Sequence, residues 1–155
     1  MKKFTRISTL ALVLILVCLC AASAFAVTGP PIIEPFGNTE VSASLTVNEF
    51  NFTSLMLFDP NANEVESASI SIEYEIYNRR NDNATMPGTY FTTSAYTSTI
   101  DRSRNYVRYY KSISSSTYYG ISQATATFRA RIVGPNYTCE FTPAPLNVHS
   151  SLFYD

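Results

Sequence analysis

Glu73 and Glu75 are the first residues that invite a chemical reading, because two carboxylates two positions apart on a strand share a face at roughly 7 Å between Cα atoms, a spacing comparable with glycosidase carboxylate pairs. A competing arrangement is available in the same chain. Arg129 and Arg131 form the matching basic pair, and opposite charges on neighbouring strands stabilise a sheet by about 0.2–1 kcal/mol per pair. The expectation is therefore a Glu/Arg ladder rather than an acid/base dyad. His149 is the single histidine, without a Cys or His neighbour to complete a metal site. The chain also lacks a G-x-S-x-G nucleophile elbow and a glycine-rich phosphate loop. No catalytic residue, metal or cofactor is expected.

The remaining candidate chemistry is recognition. Residues 105–120, NYVRYYKSISSSTYYG, hold five of the eleven tyrosines together with Arg108 and Lys111. Read as a strand, residues 106–113 turn Val107, Tyr109, Lys111 and Ile113 inward, with Lys111 snorkelling at the strand end. Tyr106, Arg108 and Tyr110 then form an exposed stripe; Tyr118 and Tyr119, just past the serine-rich turn, either extend it or cover the end of the sandwich. Tyrosine suits such a surface because it offers a large ring and a hydroxyl at small entropic cost. The expected partner is a protein or a glycan, identity open. The absence of tryptophan weakens the glycan version.

The elements that must position these residues are strands. Alternation of period two recurs, whereas no segment has helical period. Ala68, Ile70, Ile72, Tyr74 and Ile76 share one face of residues 67–78, and Ala124, Ala126, Phe128, Ala130 and Ile132 share one face of a second strand. Val41, Ala43, Leu45 and Val47 are odd-numbered, while Phe50, Phe52, Met56 and Phe58 are even-numbered, so a bulge or tight turn is required near Asn48 and Glu49. Turns are expected at 59–63, within 79–88 and at 134–136. Further strands near 89–99, 106–113 and 137–142 bring the count to about seven. The fold class is all-β, a single antiparallel sandwich of immunoglobulin-like form, with a jelly roll or small barrel as the alternative.

Lys2, Lys3 and Arg6 precede an apolar run and the small-residue segment 21–26, the pattern of a secretory signal peptide. Cleavage is expected after Ala26, with Ala24 the other candidate. Val17 before Cys18 argues against lipidation. The organisation is then a signal peptide (1–26), an extended proline-rich lead-in (27–39), a sandwich domain (40–142) and a C-terminal tail (143–155) whose apolar end, 151–154, could pair as a last edge strand. The chain reads as a bacterial exported protein, extracellular or associated with the envelope, with no membrane association after cleavage.

Removing residues 1–26 leaves eight basic and twelve acidic residues, a net charge of −4. No basic patch remains for a nucleic-acid partner. Cys139 is then the sole cysteine, so an intramolecular disulfide is impossible. A buried apolar role is expected for it, with pairing between two chains as the alternative. Sequons at Asn51, Asn83 and Asn136 are no more frequent than composition dictates, and the Thr97/Thr99 and Thr125/Thr127 pairs are too few for a lattice-matching face. The overall reading is a secreted, non-enzymatic sandwich that acts through its surface in adhesion, envelope or assembly, with a carbohydrate-binding module as the alternative.

Overall fold

The computed structural model describes residues 26–79 and 87–151. The expected signal peptide, apart from Ala26, and the chain end beyond Ser151 lie outside the described residues. Two antiparallel sheets pack face to face as a sandwich. Strands β1 (Val27–Thr28), β2 (Ile32–Phe36), β3 (Thr39–Val47), β4 (Asn51–Asp59), β7 (Ile100–Asp101) and β8 (Tyr106–Ser112) form one sheet. Strands β5 (Val65–Arg79), β6 (Pro87–Thr97), β9 (Tyr118–Gly134), β10 (Tyr137–Phe141) and β11 (Leu146–His149) form the other.

The seven long strands run β3-β4-β8 in the first sheet and β10-β9-β5-β6 in the second. That is an immunoglobulin-like order in which the fourth long strand stays beside the third.

The inward faces are the ones that alternation marks. Ala68, Ile70, Ile72, Tyr74 and Ile76 of β5 meet Ala124, Ala126, Phe128, Ala130 and Ile132 of β9 in one buried cluster with Val41, Leu45, Phe52 and Met56. The parity change between β3 and β4 comes from a tight turn, because Val47 pairs with Phe52 around Asn48 to Asn51. The Asn48 amide donates to the Asn51 carbonyl at 2.9 Å, and the Asn48 side-chain oxygen accepts from the Phe50 and Asn51 amides. An asparagine side chain that mimics the backbone in this way stabilises a reversal.

Three expectations need adjustment. Segment 27–39 is extended but does not stand apart, because β1 and β2 pair along the outer side of β3. The tail likewise adds a strand, at 146–149 beside β9 rather than at 151–154. Four short strands therefore join the seven long ones. β1, β7 and β11 escape a period-two reading because two to four residues are too few to show a period, and β2 because the Ile32-Ile33 pair and Pro35 break its alternation. Irregular register between β5 and β9, with breaks at Glu75/Ile76 and Tyr77/Asn78, also went unanticipated. Ser122 is the extra residue at the first of these breaks, which buries Gly120, Ile121 and Ser122 consecutively.

β1 with β2, and β10 with β11, form two split edge strands on the same side of the sandwich. Gly29-Pro30-Pro31 interrupts the first pair and Pro143-Ala144-Pro145 the second; proline cannot donate to a ladder. The two edges are tied together. The Tyr137 hydroxyl donates to Glu64, accepts from the Asn38 amide at 3.3 Å, and lies 3.3 Å from the Phe36 carbonyl. Thr39 donates to the same Glu64 oxygen at 3.3 Å. The ring fits only because Gly37 and Gly134 flank it: a Cβ at either position would stand 2.3 or 2.2 Å from ring atoms, and Gly37 has a φ of +60°. Phe36 and Phe141 add an edge-to-face contact at 6.0 Å.

The C-terminal end of β4, at the same end of the sandwich, is held by another lock. Asn105, in the left-handed region at φ 57°, accepts from the Ala62 amide and donates to the Pro60 carbonyl, while Arg102 donates to the Ala62 and Val65 carbonyls. The 101–105 turn is thereby docked on the loop between β4 and β5.

Two predictions follow from packing. The Tyr137 phenol is held above its ordinary range, first by its hydrogen bond to Glu64 and then by burial, so its contribution to stability is present below about pH 10, the unfolded value, and is lost as pH rises through the folded one. Tyr137→Phe should lower the urea midpoint at pH 8, and the gap to the unsubstituted protein should narrow above pH 10. Equal midpoints at pH 8 would remove the clamp's role. Ser54 is fully buried with no hydrogen-bond partner for its hydroxyl among the described residues. Since an unsatisfied buried hydroxyl is destabilising, Ser54→Ala should stabilise by about 1 kcal/mol, read as a higher thermal midpoint.

Candidate interaction surface

β8 presents the stripe in the orientation that alternation implies. Val107 is fully buried and Ile113 nearly so, Tyr109 and Lys111 are half-buried, and Arg108 and Tyr110 are exposed, with Tyr106 partly covered. Register with β4 and β3 sets the stripe's neighbours. Tyr106 lies in one row with Leu57, Ser42 and Ile33, Arg108 with Leu55 and Ser44, and Tyr110 with Thr53 and Thr46. The Arg108 guanidinium stands 5.7 Å from the Tyr110 ring centroid, and Arg104 donates to the Tyr106 hydroxyl at 3.3 Å. The surface is therefore aromatic, basic and aliphatic at once.

Of the two placements expected for Tyr118 and Tyr119, extension of the stripe is the one that fails. Both open β9 in the other sheet. Tyr118 is half-buried against Phe91, with ring centroids 6.2 Å apart, in a groove of about 310 Å³ that also takes in Lys111, Ile113 and Ser114. This groove is the seam between the edge strands β6 and β8. Cys139 is corrected as well: it shares the inward parity of Tyr137 and Phe141, yet on an edge strand it is only half-buried.

β6 is the element that sequence reasoning undervalued. It pairs with β5 alone among the described residues, and it exposes Tyr90, Phe91 and Tyr96 at 60%, 39% and 63%. A signal was present, since residues 87–99 contain no charged side chain. What was missing was the knowledge that this strand lies at an edge. β8 is also open along part of its length, because β7 covers only Tyr106 and Val107. The Phe58–Asn105 and Ile113–Phe50 amide bonds fix the alternation, so that Arg108, Tyr110 and Ser112 turn their backbone groups away from β4.

The carboxylates do not form the expected ladder. Glu73 lies between Thr125 and Ser94, and Glu75 between Gln123 and Thr92, whereas Arg129 and Arg131 lie opposite Ser69 and Ser67. Arg131 instead pairs with Glu66 at 3.0 Å, with both side chains about half exposed, and sits beside Glu140. The β5–β9 register is set by buried aliphatics on the opposite face, which outweigh weak surface pairs. Glu75 accepts from Ser122 at 2.7 Å. Burial, and secondarily this carboxylate, push the Tyr77 phenol up. Among the described residues, no three of His, Cys, Asp and Glu converge as a metal site.

Comparison with protein-family models, curated proteins and solved structures gives no match to this chain.

Proposed function

We propose that the protein is an exported, non-enzymatic assembly module whose copies join through the open edge of β6. One observation carries the reading: β6 is an eleven-residue edge strand without a charge and without a proline after its first residue. Edge strands are ordinarily blunted by shortness, proline or lysine. This chain applies the first two devices on its closed side and places Arg108 and Lys111 on β8, yet leaves β6 undefended.

β6 is also self-complementary. An antiparallel pair of copies related by a two-fold axis at Thr93 sets Tyr90 opposite Tyr96 of the second copy, twice over, with Thr92 opposite Ser94 and Phe91 opposite Ala95. Residues on one face stay on that face, as a continuous sheet requires, and cross-strand aromatic pairs contribute about 0.2–1 kcal/mol each. Self-pairing of β8 would gather two copies each of Arg108 and Lys111 along a strand that contains no carboxylate. The β8 stripe, flanked by Leu55 and Leu57, serves instead as an adhesive face for a different protein.

Sedimentation velocity on the chain from Val27 onward, which contains all eleven strands, tests the pairing. A concentration-dependent dimer is expected. The double substitution Thr92→Lys, Ser94→Lys should abolish it while leaving the fold intact, because Glu75 and Glu73 lie directly across β5 to accept the new charges. Tyr106→Ala with Tyr110→Ala should leave the dimer unchanged. A monomer at all concentrations, or a dimer indifferent to the lysines, would remove the proposal.

A further inference from the structure

We infer that the outer face of the β6-β5-β9 sheet carries a saccharide-binding trough centred on Tyr96. The trough has a compositional origin. The central strand β5 turns Ser67, Ser69 and Ser71 outward, while its neighbours raise long side chains: Arg129 and Arg131 on β9 and Tyr96 on β6. Short side chains on the middle strand and long ones on both flanks make a channel. It appears as a cleft of about 540 Å³ lined by Tyr96, Arg129, Arg131, Glu66 and Glu140 over the serines. A second cleft, of about 450 Å³, lies on the other side of Tyr96 between Ser94, Glu73, Thr125 and Thr127. Each falls in the range of small-molecule sites.

The chemistry selects the guest. Two guanidiniums and two carboxylates cancel in the first cleft, so no net field favours an anion. Ala68, Ile100 and Ala130 also line it, so the cleft offers small apolar patches between polar walls rather than an apolar pocket. Arginine donates, glutamate accepts, and serine and threonine do both, which matches a guest dense in hydroxyl groups. Tyr96, 63% exposed, supplies a ring between the two polar clefts on which the C–H face of a sugar can stack. A neutral oligosaccharide laid across Tyr96, with sugar units in both clefts, satisfies all of these groups together. The β8 stripe offers less, because Arg108 already stands over Tyr110 and leucines flank the row. Tyr96 rises from the sheet face, where pairing through β6 would set Tyr90 of a second copy beside its ring; both clefts are lined by one copy, so the inference does not require that pairing.

Isothermal titration of the same chain with β-1,4-linked gluco-, xylo-, manno- and N-acetylglucosamine hexasaccharides, and with α-linked glucan oligosaccharides, tests the trough. At least one series should bind. Tyr96→Ala should weaken that binding tenfold or more, Tyr96→Phe should retain it, Arg129→Gln should weaken it, and Tyr106→Ala with Tyr110→Ala should leave it unchanged. Circular dichroism of each variant checks that the fold is kept. Failure of every saccharide to bind at millimolar concentration, binding indifferent to Tyr96→Ala, or binding lost only in the β8 variant would overturn the inference.

Discussion

The clamp around Tyr137 is the constraint on which the shape of the molecule depends. A sandwich of two open sheets has four edges, and no ladder hydrogen bond runs between the sheets. Here a single phenol reaches from β10 of one sheet to the β2–β3 turn of the other, through Glu64 and the Asn38 amide. Two glycines leave room for its ring. Around it the edges are short, interrupted by proline and crossed by Phe36 against Phe141. At the other end of the same side, Gly29 lets Val148 approach to a distance that a Cβ would forbid. One side of the sandwich is thereby closed by specific contacts.

Among the described residues the opposite side has no equivalent. β6 and β8 flank a seam filled only in part by Phe91, Tyr118 and Lys111, and both keep unpaired edges among the described residues. Backbone groups on such an edge are open to water or to an added strand, and aromatic side chains on a solvated edge lower the cost of exchanging one for the other. The difference between the two sides is a difference in how hydrogen-bonding demand is met, which is why interaction is assigned to the open one.

Register explains the rest of the surface. Because β5 and β9 align through Ile70 opposite Phe128 and Ile72 opposite Ala126, the outward residues fall where the core sends them, and Arg129 and Arg131 lie opposite Ser69 and Ser67 rather than Glu73 and Glu75. A ladder that looks favourable as a list of charges is worth too little to shift a buried register. Its absence leaves the mixed cleft beside Tyr96.

Alternation alone determined the strand character of the chain, the inward faces of β3, β4, β5 and β9, the need for a turn near Asn48, and the outward stripe of Tyr106, Arg108 and Tyr110. These are local properties, because side-chain direction along a strand depends only on parity. Which strands lie side by side and which lie at an edge are non-local, and only the tertiary structure decided them. Tyr118 and Tyr119 are close to the stripe in sequence yet belong to the other sheet, since the turn at 113–117 crosses between sheets instead of forming a hairpin within one. Tyr90 and Tyr96 look like ordinary strand residues until β6 proves to have a neighbour on one side only among the described residues. The same holds for the proline-rich segments: their extended form follows from composition, but their capture as edge strands depends on where β3 and β9 present free backbone groups.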